Sequence, residues 1–123
     1  MGKLSEIKND QERAIYNQLI VQKENQMDVL IENQKKIEKS LYQLDEDFRR
    51  GFQQLRFLND DNNGTEKEVH NRVQQWDDNL ENRFRQQVQL TQEEFNCIFQ
   101  KEIHQTDDER EELYKKRSEI PWD

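Results

Sequence analysis

Only three glycines and one proline interrupt 123 residues, and hydrophobic residues make up 31% of the chain, against roughly 45–50% in an ordinary globular domain. That excludes a thick globular core and leaves long helices with a thin apolar seam as the architecture. The one cysteine, Cys97, excludes an internal disulfide. Its setting in Phe95-Asn96-Cys97-Ile98-Phe99 reads as a buried structural thiol, at home in a reducing cytoplasm. The opening Met1-Gly2-Lys3-Leu4-Ser5-Glu6 holds no apolar signal core, and no segment approaches the ~20 apolar residues that span a bilayer. Export would need a route without a cleaved signal. A net charge of −8 and the lack of a basic face exclude nucleic acid, whose binding depends on Lys and Arg neutralising phosphates. His70 and His104 stand isolated, without a nucleophile, a carboxylate pocket or a Gly-rich phosphate loop. His104 with Asp107 and Asp108 reads as a solvated acidic turn and not as metal ligands. The expectation is therefore a protein that is not an enzyme and holds no cofactor or metal.

What is present is a seam. Tyr16, Ile20, Lys23, Met27, Leu30, Gln34, Ile37, Leu41, Leu44, Phe48, Gly51, Leu55 and Leu58 follow one another at alternating steps of four and three, so one stripe of a long helix faces a partner helix throughout. Disordered chains of similar polarity do not hold such a register. Asn59-Asp60-Asp61-Asn62-Asn63-Gly64 then provides a turn. A second helix is expected to open at Thr65, with Glu68 completing a Thr-x-x-Glu capping box. Its seam runs Val69, Val73, Trp76, Leu80, Phe84, Val88, Thr91, Phe95, Ile98 and Glu102, with a stutter around Phe84 and Val88 that should locally unwind a supercoil. Pro121 ends the helix near Ser118.

The fold class predicted is all-α: one antiparallel helical hairpin, a two-helix coiled coil over residues 1–123, with helix one at about 5–58, the turn at about 59–64, helix two at about 65–118 and a short C-terminal tail. Folding back at the turn pairs Leu44 with Leu80, Leu41 with Phe84, Met27 with Ile98 and Lys23 with Glu102. It also sets Gly51 at the level of Trp76, where a missing side chain would leave room for the indole and Leu in its place would overpack. Toward the chain ends the second helix offers mostly polar residues, so that end should be weakly packed. Leu19, Ile31, Phe52, Leu90, Phe99 and Ile103 lie just off the seam, and an exposed apolar stripe of this kind marks a partner-binding surface.

An acidic, signal-less hairpin with Trp76 early in its second helix resembles the WXG superfamily of type VII secretion substrates and their small helical partners. More narrowly, the Gln-rich helices and the ending Leu113-Tyr114-Lys115-Lys116-Arg117-Ser118-Glu119-Ile120-Pro121-Trp122 resemble the small α-helical proteins encoded beside LXG-domain toxins in Gram-positive bacteria. The resemblance implies a non-enzymatic partner or chaperone. It would bind the helical N-terminal domain of an LXG toxin, with a second small hairpin protein as a further partner, and form an export-competent complex. The chain departs from the superfamily in two respects, one being that Tyr114 is followed at the fourth position by Ser118, so the Tyr-x-x-x-Asp/Glu that follows helix two in such substrates is absent. Trp76 is followed by Asp77-Asp78, and no Trp-x-Gly occupies the turn, which implies the auxiliary partner and not the targeting one. The other reading is structural: a self-associating coiled coil, such as a homodimeric four-helix bundle or a phage assembly spacer.

Overall fold

In the computed structural model, which describes residues 2–61 and 66–122, the chain is all-α, with α1 spanning Gly2–Asp60 and α2 spanning Lys67–Ser118, packed against each other. Both helices consist mainly of strong helix formers, and Gly51 is the one glycine in either interior. Lys115, Lys116 and Arg117 place positive charge on the last turn of α2, where the exposed carbonyls favour it. The Ser118 hydroxyl donates to the Lys115 carbonyl at 2.6 Å, and the amides of Glu119 and Ile120 close the final turn at 3.2 Å. Asn59 and Asp60, expected in the turn, belong to α1 instead. Asn62, Asn63, Gly64 and the Thr65 of the expected capping box lie outside the described residues.

The chain forms two compact units, each containing a stretch of both helices: Met1–Gln34 with Cys97–Asp123, and Lys35–Asn96. In the first, the buried and half-buried positions on α1 include Arg13, Tyr16, Ile20, Lys23, Met27 and Leu30, and those on α2 include Phe99, Ile103, Thr106, Arg110, Leu113 and Arg117. Ile20, at 3% exposure, is the deepest apolar side chain, and Ile120 is buried with it in the same unit. The expected weak packing at this end is thus corrected: the tail closes it. Arg13 explains how, because its guanidinium lies 3.8 Å from the centre of the Trp122 ring, bonds Asp10 at 2.8 Å and donates to the Pro121 carbonyl. Arg117 adds a 2.6 Å bond to Asn17, and Tyr114 donates to Glu24 at 3.1 Å.

In the second unit the register is set by aromatic stacking. Phe84 lies 4.3 Å from Phe48, ring centre to ring centre, and 6.0 Å from the buried Phe52. Phe84 therefore meets Phe48 and not Leu41, one heptad away from the expected pairing. The first unit shows the same displacement by itself, since Lys23 pairs with Glu109 and not with Glu102. A heptad pattern maps onto itself when slid by seven residues, so the seam alone cannot distinguish these registers.

The seam also changes frame. Ile20, Met27, Leu30, Ile37, Leu41, Phe48, Phe84 and Val88 are buried or half-buried as expected. Beyond Leu41, however, the facing stripe on α1 runs Asp45, Phe48, Phe52, Arg56 and Asn59, so Leu44, Gly51 and Leu55 sit one residue to its side. A straight helix drifts about 20° per heptad against a strict seven-residue repeat, and four to five heptads amount to the rotation of one residue. On α2 the facing stripe is His70, Gln74, Asp77, Asp78 and Glu81, which displaces Val73, Trp76 and Leu80 to exposed positions. Phe95 and Ile98 are exposed as well. Phe99, one residue after Ile98, takes the half-buried place. The hop in α2 thus falls between Thr91 and Phe99, later than the stutter expected at Phe84 and Val88.

Gly51 does not receive the Trp76 ring. A Cβ built at Gly51 meets no atom within 4 Å, and Trp76 is 73% exposed. The expected overpacking by Leu at this position is therefore withdrawn for the single chain. The frame shift predicts unequal costs for apolar truncation: Phe52→Ala should destabilise by about 3 kcal/mol, whereas Leu44→Ala, at the half-exposed flank, should cost under ~1 kcal/mol. Urea unfolding followed by circular dichroism measures both, and equal losses would contradict the frame.

Candidate docking surface

The contact between the helices is partly polar. In the unit Lys35–Asn96, Glu81 is 5% exposed and accepts from Arg56 and, at 3.0 Å, from Arg85, while Arg56 also reaches Asp78 at 3.3 Å. Nearer the chain reversal the Asn59 amide donates to the His70 carbonyl and to Gln74, each at 3.2 Å, and His70 Nδ1 lies 3.1 Å from the Asn59 carbonyl. In the other unit Thr106 is buried and donates to the Glu102 carbonyl one turn back at 2.8 Å, so the hydroxyl needs no partner from α1.

The consequence is an unusual division of apolar residues. Among the described residues only Ile20, Phe52 and Ile120 are buried hydrophobics, while twenty large hydrophobics are exposed. Chance scatter does not explain how they are arranged. On a helix the residue before a facing position lies about 100° round the axis. Because α1 and α2 run in opposite directions, that preceding position turns toward the same side of the pair on both. In Lys35–Asn96 it is held by Leu44, Asp47, Gly51, Leu55 and Leu58 on α1 and by Val69, Val73, Trp76, Leu80, Arg83 and Gln87 on α2, so this flank is mainly apolar toward the chain reversal. The following positions, on the other flank, are mostly polar.

The off-seam residues expected to bind a partner divide accordingly. Phe52 is 6% exposed and packs on Phe84. Phe99 and Ile103 are half-buried on the facing stripe of α2. The frame shift brings these three positions to the seam, where Ile103 also keeps one side open to a groove. Leu19, Ile31 and Leu90 remain exposed. Leu19 precedes the facing Ile20 and Ile31 follows the facing Leu30, so the two stand on opposite flanks and cannot serve one flat interface.

In the unit Met1–Gln34 with Cys97–Asp123 a groove of about 610 Å³ is lined by Met27, Cys97, Gln100, Lys101, Ile103, His104 and Asp107. Met27 and Ile103 are its apolar floor, and Lys101, His104 and Asp107 supply a mixed-charge rim. Ile31 lies one helical turn from Met27 on the same face of α1. Cys97, expected to be buried, is exposed at this groove. The hop in the α2 frame turns it away from the seam. Seam counting missed the groove because Met27 was assigned to intramolecular packing and Gln100 and Lys101 carry no hydrophobic signal.

Among the described residues no three His, Cys, Asp or Glu side chains gather as around a metal ion, and no helix is long and apolar enough to cross a membrane. His104 has only Asp108, one turn on, at 3.8 Å. No family model, curated protein or solved structure matches the chain.

The one clear electrostatic perturbation lies in the contact itself. Lys23 holds the Glu109 carboxyl below the ordinary glutamate range, first through their hydrogen bond and then through its charge, against the opposing effect of burial. A carboxyl with a lower pKa in the folded chain contributes stability above its unfolded pKa and loses it as pH falls through the folded value. Glu109→Gln should therefore be less stable than the natural chain near neutrality, with the difference closing in acid. Thermal unfolding of both proteins across that range measures it. A difference independent of pH would mean that the pair contributes through packing alone.

Proposed function

We propose that this protein is a non-enzymatic helical adaptor, and that its partner is the helical N-terminal domain of an LXG-type toxin, which it accompanies toward type VII export from the cytoplasm. The observation that supports the reading best is the open groove between Met27 and Ile103, with Ile31 beside it and a mixed-charge rim around it. An amphipathic helix laid into such a groove anchors through apolar side chains spaced along one face. Three buried hydrophobics are few for a chain of this length, and a thin core gains much from a partner that covers more of it. The resemblance to the auxiliary proteins encoded beside such toxins names the partner class.

Cys97 reports on this directly, being exposed at the groove and the one cysteine of the chain. Co-expression with an LXG helical domain should give a complex in which Cys97 is protected from maleimide labelling, whereas the chain alone labels fully. Ile31→Asp should abolish co-purification and leave helicity unchanged, since truncating or charging a central anchor usually costs more than about 1–2 kcal/mol of binding. Full labelling within an intact complex would move the interface away from the groove. Absence of any complex would remove the toxin from the reading.

A further inference from the structure

In the unit Met1–Gln34 with Cys97–Asp123 the two helices stop at different levels. Arg13 meets the Pro121 carbonyl and Arg117 meets Asn17, which sets Ser118, the last residue of α2, close to the level of Tyr16. Residues 2–15 of α1 therefore run on past the end of α2 for about 20 Å, at 1.5 Å per residue. A helix end frays where nothing packs on it. Leu4, Ile7 and Ile15 on this arm are exposed, and what the chain sets beside the arm is its own tail, residues 119–122.

That tail is held by few groups. The Glu119 and Ile120 amides are bonded back into α2, and Pro121 has no N–H to offer. Ile120 is buried, whereas Trp122 is 85% exposed and rests on α1 through the face of its ring over Arg13. A contact of this kind, mostly in water, contributes modestly. Closure also has a cost. It belongs to Arg13, whose side chain is only 11% exposed. Asp10 and the Pro121 carbonyl take two of its nitrogens, but the buried Nε–H meets no acceptor among the described residues. A buried donor without a partner opposes the burial that traps it, and opening the tail returns it to water. The burial of Ile120 and the ring contact are thus set against the unpaired Nε–H, and the closed tail is held by a small balance. We propose that the tail is a latch: residues 119–122 open and close on α1 while the rest of the helix pair stays folded, and closure holds the arm of residues 2–15 helical. Opening releases an arm that carries Leu4, Ile7 and Ile15 and bares Ile120, so the last residues of the chain govern the order of its first turns.

The latch goes beyond the adaptor reading, uses none of the groove residues and is tested on the full chain alone. Backbone hydrogen exchange reads the arm, at residues 6–15, and the unit Lys35–Asn96 in one experiment. Ile120→Ala should speed exchange in the arm at least about tenfold, and Trp122→Ala about two- to fivefold. Trp122→Phe keeps a ring over Arg13 and should stay close to the natural chain. Exchange in Lys35–Asn96 should not change in any of the three. With 5-fluorotryptophan in both tryptophan positions, the Trp122 resonance should shift at a lower urea concentration than the one at which helicity is lost. An arm indifferent to the Ile120 and Trp122 variants overturns the proposal. So does equal acceleration in both units, or a Trp122 transition that coincides with the loss of helicity, because the tail would then melt with the whole fold.

Discussion

A carboxylate with almost no solvent contact must be met by positive charge, and that requirement fixes the helix pair in the unit Lys35–Asn96. Glu81 is satisfied by Arg56 from across the pair and by Arg85 from its own helix. Rotating α2 by one residue would present Leu80 to α1 in its place and turn Glu81 toward the flank, separating it from Arg56. Rotated outward, Glu81 would be solvated and keep Arg85, so what the present frame adds is the bond from Arg56 across the pair. The bonds from Asn59 to His70 and Gln74 hold the same frame nearer the reversal. Directional bonds thus outweigh apolar area at this seam, and the displaced apolar residues form the flank.

The other unit follows a different balance. Ile20 and Ile120 are buried, and the polar contacts around them, Lys23 with Glu109, Tyr114 with Glu24 and Arg117 with Asn17, lie at partly exposed positions. Exposed pairs of this kind contribute little each. Their effect is to restrict which residues can meet, while Arg13 beneath the Trp122 ring fastens the tail. Here Ile20 and Ile120 are inside, and the opening between the helices is a groove.

The two units therefore offer unlike surfaces. One has a concave groove with Cys97 at its edge, suited to an amphipathic helix. The other has a flank on which Leu55, Trp76 and Leu80 are exposed.

The sequence by itself determined the helices. Scarcity of glycine and proline, abundance of Gln, Glu and Lys, and a seam sustained from Tyr16 to Leu41 specify two long helices that fold back near residue 60, because propensity and periodicity act within one helix and need no knowledge of the other. The groove and the flank were legible only as an excess of apolar residues off the seam, with Phe52 and Phe99 assigned to the wrong side of it. Register and frame were decided by the tertiary structure. Sliding one helix by a heptad leaves the pattern unchanged, so the Phe48 and Phe84 stack and the Lys23 pair with Glu109 had to select among equivalent alignments. Rotation by one residue exchanges an apolar stripe for a polar one, and only the meeting of Arg56 with Glu81 across space determines which of the two faces inward.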